Sequence, residues 1–365
     1  MEGHNESVFH PEALAGAGPP SEGTEASPAE IKQDGETLRP ASLDEFLGQP
    51  RVVDNLRVAL TAAKGRGEPA DHILFSGPPG LGKTSLARIL AHELGTTLHS
   101  TTGPALERPR DLVGILTQLG PRDVLFIDEI HRVPAAVEEY LYTAMEDYSI
   151  DFTLDTGPHA RILPLSIEPF TMVGATTREG LLSAPFRARF GLFERLRPYP
   201  TEDLLRIATR TASLLEVSLT EDGARYLAER CRGTPRVVNR FMRRARDLAQ
   251  VRGASTIDRD FARGALERLG VDEWGLEEMD RQILRCLAQT PNDAVGLKTI
   301  AATVGESEDT LEEVFEPHLL RCGFLRKTAR GRVITAAGCE RVGVEPPPDV
   351  RGAGGAPEAF GGLFN

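Results

Sequence analysis

One string constrains this chain more than any other: Gly77-Pro78-Pro79-Gly80-Leu81-Gly82-Lys83-Thr84. It follows the apolar run HILFS and opens the amphipathic run TSLARILAHELG, so it fits GxxxxGK[ST] at a strand-to-helix turn. Gly77, Gly80 and Gly82 let the backbone curl until successive N–H groups face one point at the positive end of a helix. A phosphate group belongs at that point. Lys83 reaches its outer oxygens, and the Thr84 hydroxyl is placed to ligate Mg2+.

The alternation of helix and short apolar strand continues. VVDNLRVALTAAKGRG and AAVEEYLYTAMEDY read as helices, and DVLFID and FTMVGATT as strands. Such a pattern calls for βαβ crossovers and a parallel sheet with helices on both faces. Parallel strands deliver ligand-binding groups at their carboxyl ends, where Asp128 and Glu129 stand. Asp128 suits the shell of a metal ion, and Glu129 suits the orientation or deprotonation of a water attacking a γ-phosphate. A third strand ends Gly174-Ala175-Thr176-Thr177-Arg178 and brings two hydroxyls to the same edge, either of which could sense that phosphate or water. Arg187 and Arg189, just before Phe190-Gly191, could reach the nucleotide of a neighbouring subunit. Arg236, in Gly233-Thr234-Pro235-Arg236 at a helix start, could close over the phosphate from a second domain. His131 reads as a structural polar residue at a turn and a poor catalytic base.

After Pro198 the strands stop and four helical runs follow, TEDLLRIATRTASLLE, TEDGARYLAERC, TPRVVNRFMRRARDLAQVRG and DRDFARGALERLG. From Asp272 three further helices precede a hairpin, FLRKTARGRVITAAG, the order of a winged helix-turn-helix. Its third helix, SEDTLEEVFEPHLLR, is acidic and repels phosphate. On and before its wing lie Arg321, Arg326, Lys327, Arg330 and Arg332, with no acid among residues 321 to 332. Contact with the DNA backbone through Lys327, Arg330 and Arg332 is therefore expected rather than base reading. The net charge of −12 excludes a basic surface over the whole chain, so any nucleic-acid contact is local. The four cysteines show no CxxC pair and read as reduced thiols. No apolar run is long enough for a membrane span, and no leader is recognisable, so a cytoplasmic protein is expected.

Taken in order, the P-loop, the Asp-Glu strand, the Thr-ended strand, the arginine before Phe-Gly and the GTPR helix resemble the AAA+ ATPases. At closer range LRPASLDEFLGQ, DVLFIDEIHR, AMEDY, GATTREGLLSAPFRARFG, RGTPRVVNRFMRRARDLAQVRG and the wing's ARGR resemble the RuvB family, the motors of Holliday-junction branch migration. The resemblance runs from about Leu38 to Gly343. It implies an α/β P-loop AAA+ domain over 37–199, an all-α lid over 200–271 and a winged-helix head over 272–343. Disordered tails are expected over 1–36 and 344–365. By position it implies that Leu38 and Arg39 touch the adenine end, and that Gly77, Gly82, Lys83, Thr84 and Ser85 touch the phosphates of ATP. Asp128 and Glu129 serve Mg2+ and water, Thr176 or Thr177 is the sensor, and Arg189 is the finger. Glu146, Asp147, Tyr148, Tyr199 and Arg236 match segments near the nucleotide. It further implies ATP hydrolysis coupled to duplex movement in recombination, repair and the SOS response, in a homo-oligomeric ring, a hexamer. A RuvA-like junction-binding partner would meet the hairpin at about 150–167 through its apolar side chains, and a RuvC-like resolvase could join.

Two departures stand out: Ala188 where many relatives have Asp, and Ala329 where they have Pro. The rivals are a clamp-loader-like or protein-remodelling AAA+ ATPase and, from another class, an ATP-gated DNA-binding switch with little turnover. Glu129 favours turnover, and the acidic third helix disfavours a sequence-reading switch.

Overall fold

The computed structural model describes residues 37–153, 162–291 and 293–346. The expected tail over 1–36, most of that from 344 onward and the turn of the 150–167 hairpin lie outside them.

Helix α1 (Pro50–Arg66) leads into β1 (Ile73–Ser76), the glycine loop and α2 (Lys83–Leu94). Then come β2 (Leu98–Thr102), α3 (Pro109–Leu116), β3 (Val124–Asp128) and α4 (Ala135–Asp147), the antiparallel pair β4 (Ser149–Thr153) and β5 (Ile162–Ser166), β6 (Thr171–Thr176), the short α5 (Ala184–Arg187) and β7 (Leu192–Arg195). Five strands form one parallel sheet in the order β2-β3-β6-β1-β7. The three central strands are apolar and buried almost throughout, as a sheet covered on both faces requires. The sequence reading found these three. It missed the edge strands β2 and β7, whose LHSTT and LFER are half-exposed and carry no apolar run.

Each face of the sheet has its own core. On one side Leu56, Leu86, Phe75, Phe126 and Val173 continue into Leu204, Leu227 and Phe241 of the helices that follow. On the other, Leu74, Leu125 and Met172 pack with Leu112, Leu141, Phe170 and Phe186. Ile150 and Ile167 belong to this second core, at 1% and 5% exposure, which corrects the expectation that Ile150 presents an apolar side chain to a partner. Among the described residues of the hairpin, Leu163 is exposed.

The helical region comprises α6 (Thr201–Leu214), α7 (Glu221–Arg230), α8 (Pro235–Arg252) and α9 (Arg259–Arg268). Side-chain caps start two of them: Thr220 accepts from the Gly223 N–H and Asp258 from that of Phe261. The region is not wholly helical: β8 (Ser218–Leu219) and β9 (Thr256–Ile257) form a two-strand parallel pair. Beyond it lie α10 (Glu278–Ala288), α11 (Leu297–Val304), a third helix in three pieces, the wing β10 (Leu325–Thr328) and β11 (Gly331–Ile334), and α14 (Ala336–Arg341). The third helix runs as α12 (Glu308–Thr310), a π-helical turn Leu311–Phe315 and α13 (Glu316–Arg321). Pro317 has no N–H to give the Glu313 carbonyl, which forces the break.

Candidate nucleotide site and the surfaces around it

The loop between β1 and α2 takes the expected shape for steric reasons. Gly77 has φ +139°, and a Cβ there would stand 2.5 Å from the Leu196 carbonyl oxygen. At Gly80 a Cβ would strike Thr234 at 2.6 Å and Arg236 at 3.1 Å, so the start of α8 closes directly on the loop. The Arg236 N–H donates to the Gly80 carbonyl at 3.4 Å. Tyr199 is buried beside the same loop, its hydroxyl donating to the Leu81 carbonyl at 3.2 Å, and burial pushes its pKa far up. Arg39 is exposed, Leu38 is buried and Ser85 is half-buried in the first turn of α2.

Lys83 is buried, and its Nζ donates to the Gly77 and Pro78 carbonyls at 2.7 and 2.9 Å. Burial lowers its pKa to about 8, against the opposing pull of Asp128. A desolvated ammonium ringed by backbone carbonyls is suited to an anion. Thr84 donates to Asp128 Oδ2 at 3.4 Å, so two oxygen ligands stand together at the helix start. Among the described residues no group of three or more His, Cys, Asp or Glu side chains could hold a metal ion. The hydroxyl and carboxylate oxygens of the pair are hard donors of the kind Mg2+ takes, an ion that completes its shell with phosphate oxygens and water.

Glu129 follows Asp128 in the left-handed region, at φ +49°. For a residue with a Cβ this costs about 1–3 kcal/mol and is typical of functional turns. Its carboxylate is half-exposed and paired with Arg132 at 2.9 Å. The two threonines differ. Thr176 Oγ1 lies 3.0 Å from His131 Nδ1 and accepts from the Arg178 N–H at 3.0 Å, whereas Thr177 Oγ1 is buried with no hydrogen-bond partner among the described residues. His131, set aside by the sequence reading, thus tethers the Glu129 turn to β6, and burial lowers its pKa.

Arg189, Glu146, Asp147 and Tyr148 stand elsewhere. Register pairs Ile73 with Leu192 and Ser76 with Arg195, so the residues before β7 lie where β1 begins and the glycine loop lies where it ends. Arg189 pairs with Glu146 at 3.1 Å and sits over the Tyr142 ring at 4.4 Å. His72, just before β1, bonds the Met145 carbonyl, and Tyr148 packs edge-on against Phe170. Within one chain these residues are at the opposite end of the sheet from its own glycine loop.

The wing also differs from its sequence reading. Lys327 pairs with Glu312 at 2.8 Å and Glu316 at 3.3 Å, and Arg332 is buried with Glu316 and 3.6 Å from Glu312. The absence of acids within the wing's own sequence is offset in space by the acidic third helix. Arg326 and Arg330 are exposed, and among the described residues neither makes an ion pair. No described helix is long and apolar enough to cross a membrane.

Comparison with known proteins bears directly on these features. Residues 38–196 match the family described as Holliday junction DNA helicase RuvB P-loop domain, 199–272 the RuvB AAA lid domain, and 273–343 the RuvB C-terminal winged helix domain. The Holliday junction branch migration complex subunit RuvB of Myxococcus xanthus is 54% identical over 87% of this chain and 93% of its own. That of Paramagnetospirillum magneticum is 51% identical over 89% and 94%. The solved Thermotoga maritima RuvB Holliday junction branch migration motor superposes with a TM-score of 0.78 at 47% identity, covering 85% of this chain and 100% of that one. With all three regions matched in order and half the residues shared, the chain belongs to the RuvB family of AAA+ ATPases.

Proposed function

We propose that this protein is an ATP-driven DNA motor that moves duplex arms through Holliday junctions, working with a RuvA-like junction-binding partner. The observation that carries the reading is the phosphate cradle, in which buried Lys83 and the Thr84–Asp128 pair converge where Glu129 follows the end of β3. Gly77, Gly80, Gly82, Lys83, Thr84 and Ser85 bind the phosphates of ATP, Arg39 touches its adenine end, and Tyr199 stands near the nucleotide. Arg236 closes over the phosphates from the lid. Magnesium, held by Thr84 and Asp128, supplies charge neutralisation on the phosphate oxygens when bound. Glu129 orients the attacking water and takes its proton. The unpartnered hydroxyl favours Thr177 over Thr176 as the group that senses the γ-phosphate.

Arg189, with Glu146, Asp147 and Tyr148, serves the nucleotide of the next subunit in a homo-oligomeric ring, a hexamer. Its distance from its own loop supports action in trans. Lys327, Arg330 and Arg332 hold the DNA backbone, Arg330 directly and the other two in competition with Glu312 and Glu316. The hairpin at 150–167 is the RuvA-like partner's site, and a RuvC-like resolvase acts on the same junction. The three regions divide at about 199 and 271, and the protein works in the cytoplasm.

Steady-state ATPase with junction DNA and a RuvA-like partner tests the core of this. Lys83→Ala should lose nucleotide binding, whereas Glu129→Gln should bind ATP and fail to hydrolyse it. Mixed rings of Lys83→Ala with Arg189→Ala should regain part of the activity. Near-normal turnover in Glu129→Gln would remove it from its role, and no recovery in verified mixed rings would do the same for Arg189.

A further inference from the structure

The acidic third helix of the head does more than fail to read DNA. Asp309 and Glu312 reach Arg178 Nη2 at 2.8 and 3.4 Å, and Glu313 reaches its Nε at 2.7 Å. Arg178 is the residue directly after Thr177, and its N–H holds the Thr176 hydroxyl. Three carboxylates from the head thus converge on one guanidinium at the end of β6. Glu312 also pairs with the wing through Lys327, so a single side chain touches both the strand end and the wing. The π-helical turn places Glu312 and Glu313 side by side on the facing surface, and such turns recur at functional sites.

The same contact borders the phosphate cradle. A cavity of about 460 Å³ has Pro78, Pro79 and Thr177 on one wall and Glu312, Glu313 and Pro317 on the other. The charge of Glu313 is felt by Lys83 and by His131 across this space. A γ-phosphate arriving beside Thr177 brings negative charge to a cavity that already holds two carboxylates, and it competes with them for Arg178. The clasp and a bound γ-phosphate oppose one another.

We infer that Arg178 with Asp309, Glu312 and Glu313 forms a nucleotide-sensitive joint, in which the γ-phosphate of ATP displaces the acidic helix from Arg178 and so frees the head and its wing. The inference rests on the ATPase reading above. Arg178 acts here as a positioning residue: its guanidinium touches the head and its N–H holds the Thr176 hydroxyl at the end of β6. The ion pairs are only partly shielded, with the Arg178 side chain 27% exposed, which makes them reversible rather than permanent.

Linkage supplies a test. If the γ-phosphate opens the joint, then opening the joint by mutation must raise affinity for a γ-phosphate by the same factor. Full-length Asp309→Asn/Glu313→Gln should bind adenylyl imidodiphosphate about 5-fold tighter or more, with ADP affinity unchanged. Removing two negative charges could raise affinity through space alone, so position must be measured too. Spin labels at exposed Val58→Cys and Lys298→Cys, in a Cys322→Ser background and diluted with unlabelled subunits, report the distance from the sheet region to the head. The analogue should shift wild type from a short to a long distance, and ADP should not. Arg178→Glu should give the long distance throughout, and Arg178→Glu/Glu313→Arg should restore the short one. Saturating analogue with an unmoved head would overturn the joint and leave the ATPase reading intact. Failure of the wild type to bind the analogue at all would overturn that reading instead.

Discussion

Among the described residues the head is tied to the lid and to the sheet region, and these two ties are built oppositely. At the lid, Arg232 pairs with Asp280 at 2.6 Å, with side chains 8% and 0% exposed. The Arg232 guanidinium also donates to the Gly275 carbonyl, and its own carbonyl accepts from Arg321 at 2.6 Å. At the sheet region, Arg178 meets three carboxylates in partial contact with water, and among the described residues no buried apolar cluster joins the two sides. A buried pair cannot be opened without stranding a charge, whereas exposed pairs exchange with solvent at little cost. The same residue types therefore make a fixed hinge in one place and a releasable clasp in the other. For a motor the difference is useful, because the head must stay attached to the lid while its contact with the nucleotide-binding region changes.

Asp280→Ala attacks the comparison hardest. It leaves Arg232 buried with Glu277 as its remaining acidic partner, and it removes the carboxylate that caps α10 through the Glu277 N–H. Urea unfolding should show a loss of about 3–5 kcal/mol. A loss below about 1 kcal/mol would mean that the two joints are not different in kind.

His318 sharpens the contrast through pH. It is buried at the lid joint, and burial, aided by Arg232 and Arg321, lowers its pKa to about 3. The unfolded chain takes up the proton near pH 6.5 and the folded one does not until about pH 3, so the unfolded state binds more protons between these values. Stability should therefore fall as pH drops through that window, by up to about 1.4 kcal/mol per pH unit. His318→Leu should flatten this part of the profile in thermal melts at stepped pH. An unchanged profile would show that His318 is not the group responsible.

The smallest effect is expected at the clasp. Glu313→Gln should change global stability by about 0–1 kcal/mol, and salt should erase even that difference because the pairs are open to screening. A loss as large as that of Asp280→Ala would contradict a releasable contact.

Most of the candidate nucleotide site was legible in the sequence because it is local. The glycine loop, Lys83 and Thr84 are contiguous, and their geometry follows from a strand end, a few left-handed glycines and a helix start. Asp128, Glu129 and the threonines were readable because parallel strands expose their carboxyl ends together. The edge strands were not, since LHSTT and LFER face solvent in part and need no apolar run. The helices of the lid were plain from their period and caps, while the short β8–β9 pair was too brief to signal itself.

What the sequence by itself determined was each element and the chemistry at its end. The tertiary structure alone decided which charges meet. An acidic helix and a basic wing looked like separate surfaces, yet Glu316 buries Arg332 and Glu312 holds Lys327. Arg178 was one letter at the end of a strand until a helix more than a hundred residues later closed on it. Ile150 looked like partner-facing apolar surface and lies in the core. Local backbone preference acts over a few residues and can be read along the chain, but ion pairing and burial depend on distance in space, which only the folded chain sets.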